Sequence, residues 1–429
     1  MKLSPYGGYK AARTEWIGSI PSHWEEWKVS HGFLRIGSGT TPKSDNGLYY
    51  DGDTLWVTTA ELRESVIFDT ATKVTDEALQ EHSALRIYPI GSVLIAMYGA
   101  TIGRLGMLGH EATVNQACCV FSRPEKFDSR FFYFWLWMRR PILISLSSGG
   151  GQPNLNQEEL KRLRVPIPSI PEQQQIAAFL DWKTGQIDAL IARKQELLER
   201  LKEKRLAVIS QVVTRGLNPA APLRDSGIPW LGQVPHHWQV RSLKFCFDFL
   251  NNRRIPLSSE ERASMARDFP YYGASGIIDY VDGYIFDERL ILIGEDGANL
   301  LSRSTPLAFE ARGKYWVNNH AHILRPTLGP FTYWSNLLCI VQYAPWITGA
   351  AQPKLTKENL GSVPLPCPPR DEQNAIAEFI EAETGKIDPL INLALETVAR
   401  LAEYRAALIT AATTGKIDVR NVRIPQPVA

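Results

Sequence analysis

The chain has 429 residues, more than one hydrophobic core usually serves, so two or three domains are expected. Hydrophobic residues at 44% and charged residues at 21% are ordinary for a globular chain, which excludes extensive disorder. A net charge of +2 neither demands nor excludes nucleic acid; five cysteines with no C-x-x-C pair argue against a disulfide framework or thiolate zinc site and for a reducing cytoplasm.

In chain order, the opening MKLSPYGGYKAARTEW lacks an apolar run of signal-peptide length. GSVLIAMYG (91 to 99) reads as a buried strand running into a turn, and SRFFYFWLWMRR (129 to 140) as a short aromatic helix whose rings belong to a core. Arg139, Arg140 and Pro141 interrupt that apolar stretch, so no membrane span is expected. The proline-rich VPIPSIPEQ (165 to 173) ends a globular unit and fixes where a long helix begins. That helix is predicted from Ile187, Leu190, Ile191, Leu197, Leu198, Leu201, Val208 and Val212, which recur at three- and four-residue steps. RLILIGEDG (289 to 297), FTYWSNLLCIVQ (331 to 342) and VPLPCPPRDEQ (363 to 373) repeat the series of strand, aromatic helix and proline-rich border. A second long helix follows, striped by Ile387, Leu390, Ile391, Ala394, Val398, Leu401 and Leu408.

The chain is a duplication. TGQID at 184 to 188 and TGKID at 384 to 388 are 200 apart, and EQQQIAAFLDWKTGQIDALI lies over EQNAIAEFIEAETGKIDPLI at the same offset. Upstream, EWIGSIPSHW (15 to 24) returns as PWLGQVPHHW (229 to 238) at an offset of 214. The borders are therefore constant while the filling differs: 107 positions separate Trp24 from Phe131, and 93 separate Trp238 from Phe331. Residues 172 to 215 carry eight Lys/Arg and six Asp/Glu, and residues 372 to 412 three and seven; the opposite net signs suit mutual packing of the helices. Gly185 and Gly385 each cost a helix interior about 1 kcal/mol, so either Thr184 and Thr384 cap helices that begin there or the helices run through from Glu172 and its counterpart. A third TGKID, at 414 to 418, follows the second helix, with Gly415 as its expected C-cap.

Catalytic motifs are missing. YGATIGRLG fits neither phosphate-loop pattern, and there is no H-E-x-x-H, G-x-S-x-G or [DN]-P-P-[YF] tetrad. His320 and His322 alternate as on a strand, which raises a metal pair, but no third ligand is evident and display to a polar partner is the preferred reading. What remains suits base edges and phosphates, since Arg pairs doubly with guanine and Asn or Gln with adenine. In the first half the candidates are Ser38, Thr40, Thr41 and Lys43 of GSGTTPKS, then Tyr98, Thr101 and Arg104, then Asn115 and Gln116, and finally Gln152 and Asn154. In the second half they are Arg253 and Arg254, then Tyr271, Tyr272 and Ser275, then Asp296, Asn299 and Arg303. Asn318, Asn319, His320, His322, Gln352 and Lys354 complete the set.

This layout resembles the specificity subunit of type I restriction-modification systems over essentially the whole chain. The resemblance rests on IPSHW and VPHHW, on the closing GGGQPNLNQEELKRLRVPIPSIPEQ and GAAQPKLTKENLGSVPLPCPPRDEQ, and on the two helices with TGQID and TGKID. YYGASGIIDYVDGYIF, GEDGANL and WVNNHAHILRP look like one version of a target recognition domain, and SGTTPKS with YGATIGRLG like another. It implies an α+β fold: two pseudo-symmetric target recognition domains with mixed β-sheets (1–168 and 218–368), separated by two long helices (169–217 and 369–429) packed as an antiparallel coiled coil. Each domain is then expected to read one half of a bipartite, asymmetric site in double-stranded DNA. The implied partners are two modification (methyltransferase) subunits, which use S-adenosylmethionine, and restriction (translocase/nuclease) subunits, which use ATP; this chain holds neither cofactor and no metal and is not an enzyme. A subunit serving a modification-only or other-class methyltransferase complex is the alternative.

Overall fold

A computed structural model describes residues 4–146, 154–349 and 352–425. It divides into two compact units, Met1–Lys194 with Thr397–Ala429, and Gln195–Glu396. Each unit holds one variable module together with a part of both long helices.

In the first unit a five-stranded sheet has the order Phe33–Gly37, Cys118–Pro124, Val93–Ala96, Leu105–Leu108, Ser65–Ile67. A three-stranded sheet places Tyr50–Val57 between Ala112–Val114, to which it is parallel, and Lys73–Val74. Side chains alternate across a strand, so adjacent residues of VLIA and CCVF serve different cores. Val93, Ile95, Cys119 and Phe121 pack with Phe131, Phe132 and Trp135 of the helix Ser129–Leu146, while Leu94, Ala96, Cys118 and Val120 pack with Leu55, Val57 and Val114. A sheet covered on both faces needs continuous apolar strands, and that is the pattern the sequence shows.

The second unit repeats this plan in different residues. Its sheets have the orders Phe247–Phe249, Ala321–Pro326, Leu290–Gly294, Ala308–Ala311 and Gly276–Val281, Phe269–Gly273, Lys314–Val317, Phe286–Asp287. Ile291, Ile293 and Leu324 face Tyr333, Trp334 and Leu337, and Leu290, Leu292 and Ile323 face Phe286, Tyr315 and Val317. An antiparallel ribbon closes each module: Glu25–Lys28 with Arg164–Ile167 in one, Gln239–Ser242 with Pro364–Cys367 in the other.

The long helices are Ile170–Arg215, of 46 residues, and Arg370–Thr413, of 44, each continuous through its glycine. Thr184 and Thr384 are not N-caps: their hydroxyls donate to the carbonyls of Leu180 and Ile380, four residues back, at 2.7 Å. The helices pack together antiparallel, since the first unit joins Ile176, Leu180 and Ile187 to Leu408, Ile409 and Ala412, and the second joins Ile209, Val212 and Val213 to Ile376, Ala377 and Ile380. The repeated pentapeptide supplies part of this seam. Ile187 and Ile387 are buried, Asp188 accepts from Arg405 Nε at 2.8 Å, and Asp388 accepts from Arg205 Nε at 2.7 Å. Both ion pairs are partly exposed and contribute at most about 1 kcal/mol each. The third pentapeptide does something else: Gly415, at φ +71°, ends the second helix with its α-carbon against Pro21 and the Trp24 ring, and Asp418 N donates to Ser4 O at 2.8 Å. Leu190, Leu197 and Leu390, counted in the predicted stripe, remain exposed, because a two-helix seam covers a narrower face than the stripe offers.

A buried carboxylate joins module to helix. Glu172, 7% exposed in the first helical turn, accepts from Tyr6 OH at 2.8 Å and Trp24 Nε1 at 3.1 Å, and meets His23 Nε2 at 2.9 Å. Burial, then the hydrogen bond to Glu172, raises the Tyr6 phenol well above its ordinary value, so it stays a donor. Glu372 repeats the joint with Trp238 Nε1 at 3.0 Å and His237 Nε2 at 2.8 Å. Gln173 fixes the same turn by accepting from Asp128 N and donating to the carbonyls of Lys126 and Pro168.

Two outcomes are expected. Glu172→Ala orphans buried donors and should cost about 3 kcal/mol in denaturant unfolding, more than Glu372→Ala, whose carboxylate is 25% exposed and holds two partners. Gly185→Ala, at a helical position where an added Cβ meets nothing within 4 Å, should stabilise by about 0.5–1 kcal/mol and raise Tm accordingly.

Candidate nucleic-acid interface

The two modules build one loop frame. Where the central strand ends, Met97 N donates to Ala117 O at 2.8 Å and Met97 O accepts from Leu155 N at 2.7 Å; Glu295 N and O do the same with His320 O and Leu355 N at 2.8 and 2.7 Å. The next residues, Tyr98 and Asp296, bridge to Asn154 and Lys354. A turn follows through Gly99 at φ +81° and Gly297 at φ +100°, a region glycine enters without strain. The facing loop is set by an asparagine whose side chain accepts from the backbone two residues on: Asn115 from Ala117 N at 3.1 Å, Asn318 from His320 N at 2.8 Å. Asn115 N and Asn318 N are in turn held by Val57 O and Tyr272 O.

A fourth loop joins in each case. In the first module Gly39 N donates to Asn115 O, and Thr41 Oγ1 donates to Gln116 Oε1 at 2.6 Å, so the Ser38–Lys43 loop lies against the asparagine turn. In the second, Arg254 donates to Asn319 O at 3.1 Å, Ala321 O at 2.9 Å and Glu295 Oε2 at 2.6 Å. The result in the second module is an open cleft of about 890 Å³ lined by Asp296, Gly297, His320, Gln352 and Lys354.

The sequence model of the family described as Type I restriction modification DNA specificity domain matches residues 21–202 and 235–392. The chain belongs to this family. It is a DNA specificity subunit of a type I restriction-modification system, a non-catalytic role. It is 37% identical over 142 residues to a putative type I restriction enzyme specificity subunit of Haemophilus influenzae, an alignment covering 32% of this chain and 35% of that protein. It is 24% identical over 426 residues to the putative MjaX specificity subunit of Methanocaldococcus jannaschii, covering 94% and 96% of the two chains. The fold is shared with a chain solved in work on complex assembly and conformational transition of the type I R-M system, at TM-score 0.66 and 15% identity over 93% of this chain and 99% of that one.

Within this specificity subunit the candidate residues divide by what already holds them. In the first module Thr41, Lys43, Gln116 and Asn154 are exposed on the converging loops; Tyr98, Thr101 and Arg104 are half-buried beside them. Ser38 and Thr40 give their carbonyls to Tyr88 OH and Trp56 Nε1, and Asn115 spends its side-chain oxygen on its own turn. Gln152 lies outside the described residues.

In the second module Asn319, His320, Gln352 and Lys354 are exposed at the cleft and Ser275 at the tip of a hairpin. Asp296 meets His320 Nδ1 at 2.9 Å. Others turn inward or away. Tyr271 is buried with its hydroxyl accepting from Leu257 N, and Tyr272 stacks on Phe309. Asn318 is buried in its turn, and Asn299 staples its loop through Ser304 and Thr305. Arg253 donates to Ile285 O and lies over Phe286, and Arg303, at φ +48°, donates to Val341 O. His320 and His322 do not share a face: His320 belongs to the turn before the strand, whereas His322 points into the core and is fully buried. Among the described residues no group of three His, Cys, Asp or Glu is placed to hold a metal.

Glu295, which the sequence reading passed over, organises the cleft. It is 14% exposed, takes Arg254 at 2.6 Å and lies 3.5 Å from Lys354 Nζ. Burial alone would raise its carboxyl, but the Arg254 hydrogen bond and the surrounding positive charge outweigh that and hold it below the usual range. Its only sequence signal was its place directly after the apolar strand Leu290–Gly294, beside Asp296 in RLILIGEDG.

His322 Nε2 donates to Leu355 O at 2.7 Å, so Nδ1 accepts from Asn251 Nδ2 at 2.8 Å, and the ring is neutral. Burial holds its pKa below the ordinary value of 6.5, against the opposing Leu355 hydrogen bond. With the folded value depressed, the unfolded chain takes up the proton first as pH falls. Stability should therefore be highest above about pH 6.5 and decline below it, and His322→Gln should flatten that part of the pH profile in denaturant unfolding.

Proposed function

We propose that each module reads one half of a bipartite, asymmetric sequence in double-stranded DNA through its four converging loops. The observation that carries this is the common loop frame with different side chains: Tyr98 against Asp296, Gln116 against Asn319, and Ala117 against His320, on backbones held by matching hydrogen bonds. A constant frame with exchanged polar groups suits two readers of different bases, since base identity is read by hydrogen-bond pattern in the major groove.

In this reading residues 1–168 and 218–368 are the target recognition domains, and 169–217 and 369–429 are the helical spacers that set the unspecified gap between half-sites. Two modification subunits dock on the helices, for which the exposed Leu190, Leu197 and Leu390 offer apolar surface. Restriction subunits complete the complex in the cytoplasm; S-adenosylmethionine and ATP belong to those partners. No helix among the described residues is long and apolar enough to cross a membrane.

The test is modular exchange. Replacing residues 25 to 150 with the matching module of another specificity subunit should change one half of the methylated sequence and leave the other unaltered. Methylome sequencing of cells carrying the chimera and the modification subunits reads the result, and a change in both halves would overturn the two-reader model.

A further inference from the structure

The second module holds a polar pair that its counterpart lacks. Where the strand-end turn meets the asparagine turn, both Asp296 carboxylate oxygens lie 2.9 Å from His320 Nδ1. At the matching places the first module has Tyr98 and Ala117. It closes the frame all the same, since Met97 N to Ala117 O and Leu155 N to Met97 O repeat the bonds that Glu295 N and Leu355 N make in the second module. The pair of Asp296 and His320 is therefore not what holds the turns together.

Its chemistry fixes the position of a proton. A carboxylate only accepts hydrogen bonds, so the hydrogen between the two groups sits on Nδ1. Among the described residues the other ring nitrogen, Nε2, has no hydrogen-bond partner. The ring is exposed and lines the open cleft with Gln352 and Lys354. In neutral imidazole that second nitrogen carries a lone pair, and the cleft thereby gains an acceptor of fixed direction. His322 is the contrast: buried and bonded at both nitrogens, it has nothing to present.

An acceptor discriminates between base edges. In the major groove guanine shows N7 and O6 and thymine shows O4 and a methyl group, whereas adenine N6 and cytosine N4 are donors. A lone pair placed against another leaves both unsatisfied, so Nε2 favours an amino group at the point it touches and disfavours a guanine or thymine edge there.

We propose that His320 is a base-reading residue of the second module, accepting at Nε2 a hydrogen bond from the exocyclic amino group of an adenine or a cytosine, and that Asp296 is the positioning residue that fixes its tautomer and direction. The inference rests on the reading of the second module as a DNA reader, and it names the chemistry that one of its side chains recognises.

The experiment measures binding by the assembled methyltransferase, without S-adenosylmethionine, at about pH 8, where imidazole is ordinarily neutral. Module exchange identifies the half-site of the second module. Duplexes then carry single replacements in that half-site: purine for adenine, a pyrimidinone lacking the amino group for cytosine, and deazaguanine lacking N7 for guanine. One amino deletion should weaken wild-type binding about three- to tenfold, and the analogue that does so names the base. His320→Ala places at this turn the residue that the first module carries there. It should bind the unmodified duplex weaker by the same factor and lose nothing further at that position, while replacements elsewhere in the half-site keep their effects. Asp296→Ala leaves the ring unheld and Nε2 able to carry the proton, so it should lose the same sensitivity.

If no amino deletion weakens wild-type binding, the proposal is overturned, a readout that needs no variant to fold. It is equally overturned if His320→Ala keeps every wild-type penalty, if Asp296→Ala keeps the penalty that His320→Ala abolishes, or if the position coupled to His320 is the N7 of a guanine, which would make the ring a donor. Failure of the underlying reading is distinguishable, because replacing the entire second half-site would then leave binding unchanged.

Discussion

A carboxylate at the first turn of each long helix is the constraint on which each unit's arrangement depends. Glu172 draws the Tyr6 hydroxyl, the Trp24 indole and the His23 ring to the start of one helix, and Glu372 draws Trp238 and His237 to the other. A polar group buried this deeply must find its donors, so the segment before each module has one place to go. Once that segment is fixed, the closing ribbon follows, and the ribbon orients the sheet whose far end carries the candidate recognition loops. Rigid support for loops that must present side chains accurately is what recognition requires.

The same logic separates what is constant from what varies. Backbone groups hold the loop frame: Met97 and Glu295 each bond two neighbouring segments through N and O, and Asn115 and Asn318 each fold one turn. Because those bonds do not involve the outward side chains, the latter are free to differ between modules without loss of the frame. At Tyr98 and Asp296, and at Gln116 and Asn319, the modules therefore differ on a shared backbone frame.

Charge is distributed by the same division of labour. In the second module Arg254 is consumed by Glu295 and by two carbonyls, and Arg253 and Arg325 are paired with Glu288. Those guanidinium groups stiffen the loops and leave Asn319, His320 and Gln352 as the presented groups. In the first module Lys28 and Arg164 are left unpaired side by side. A net charge of +2 does not reveal which cations are spent internally and which are left without an ion-pair partner.

The sequence by itself determined the duplication, the two helices, the apolar strands that lead to the candidate turns, and Gly415 as a helix end, because periodicity, repeat spacing and turn chemistry are local properties. Continuity through Gly185 and Gly385 was decided by tertiary structure: flanking residues such as Leu180, Ile187, Ile380 and Ile387 are buried on either side, and that burial outweighs the local cost of one glycine. The separation of His320 from His322 was also beyond the pattern, since alternation holds only within a strand and the strand begins at Ala321. Which arginines are spent internally, which acid anchors the cleft and which cations stand opposite each other depend on register between segments up to 136 residues apart, as Lys28 and Arg164 are. Long-range register is set by the packing of whole sheets, and no local stretch of sequence encodes it.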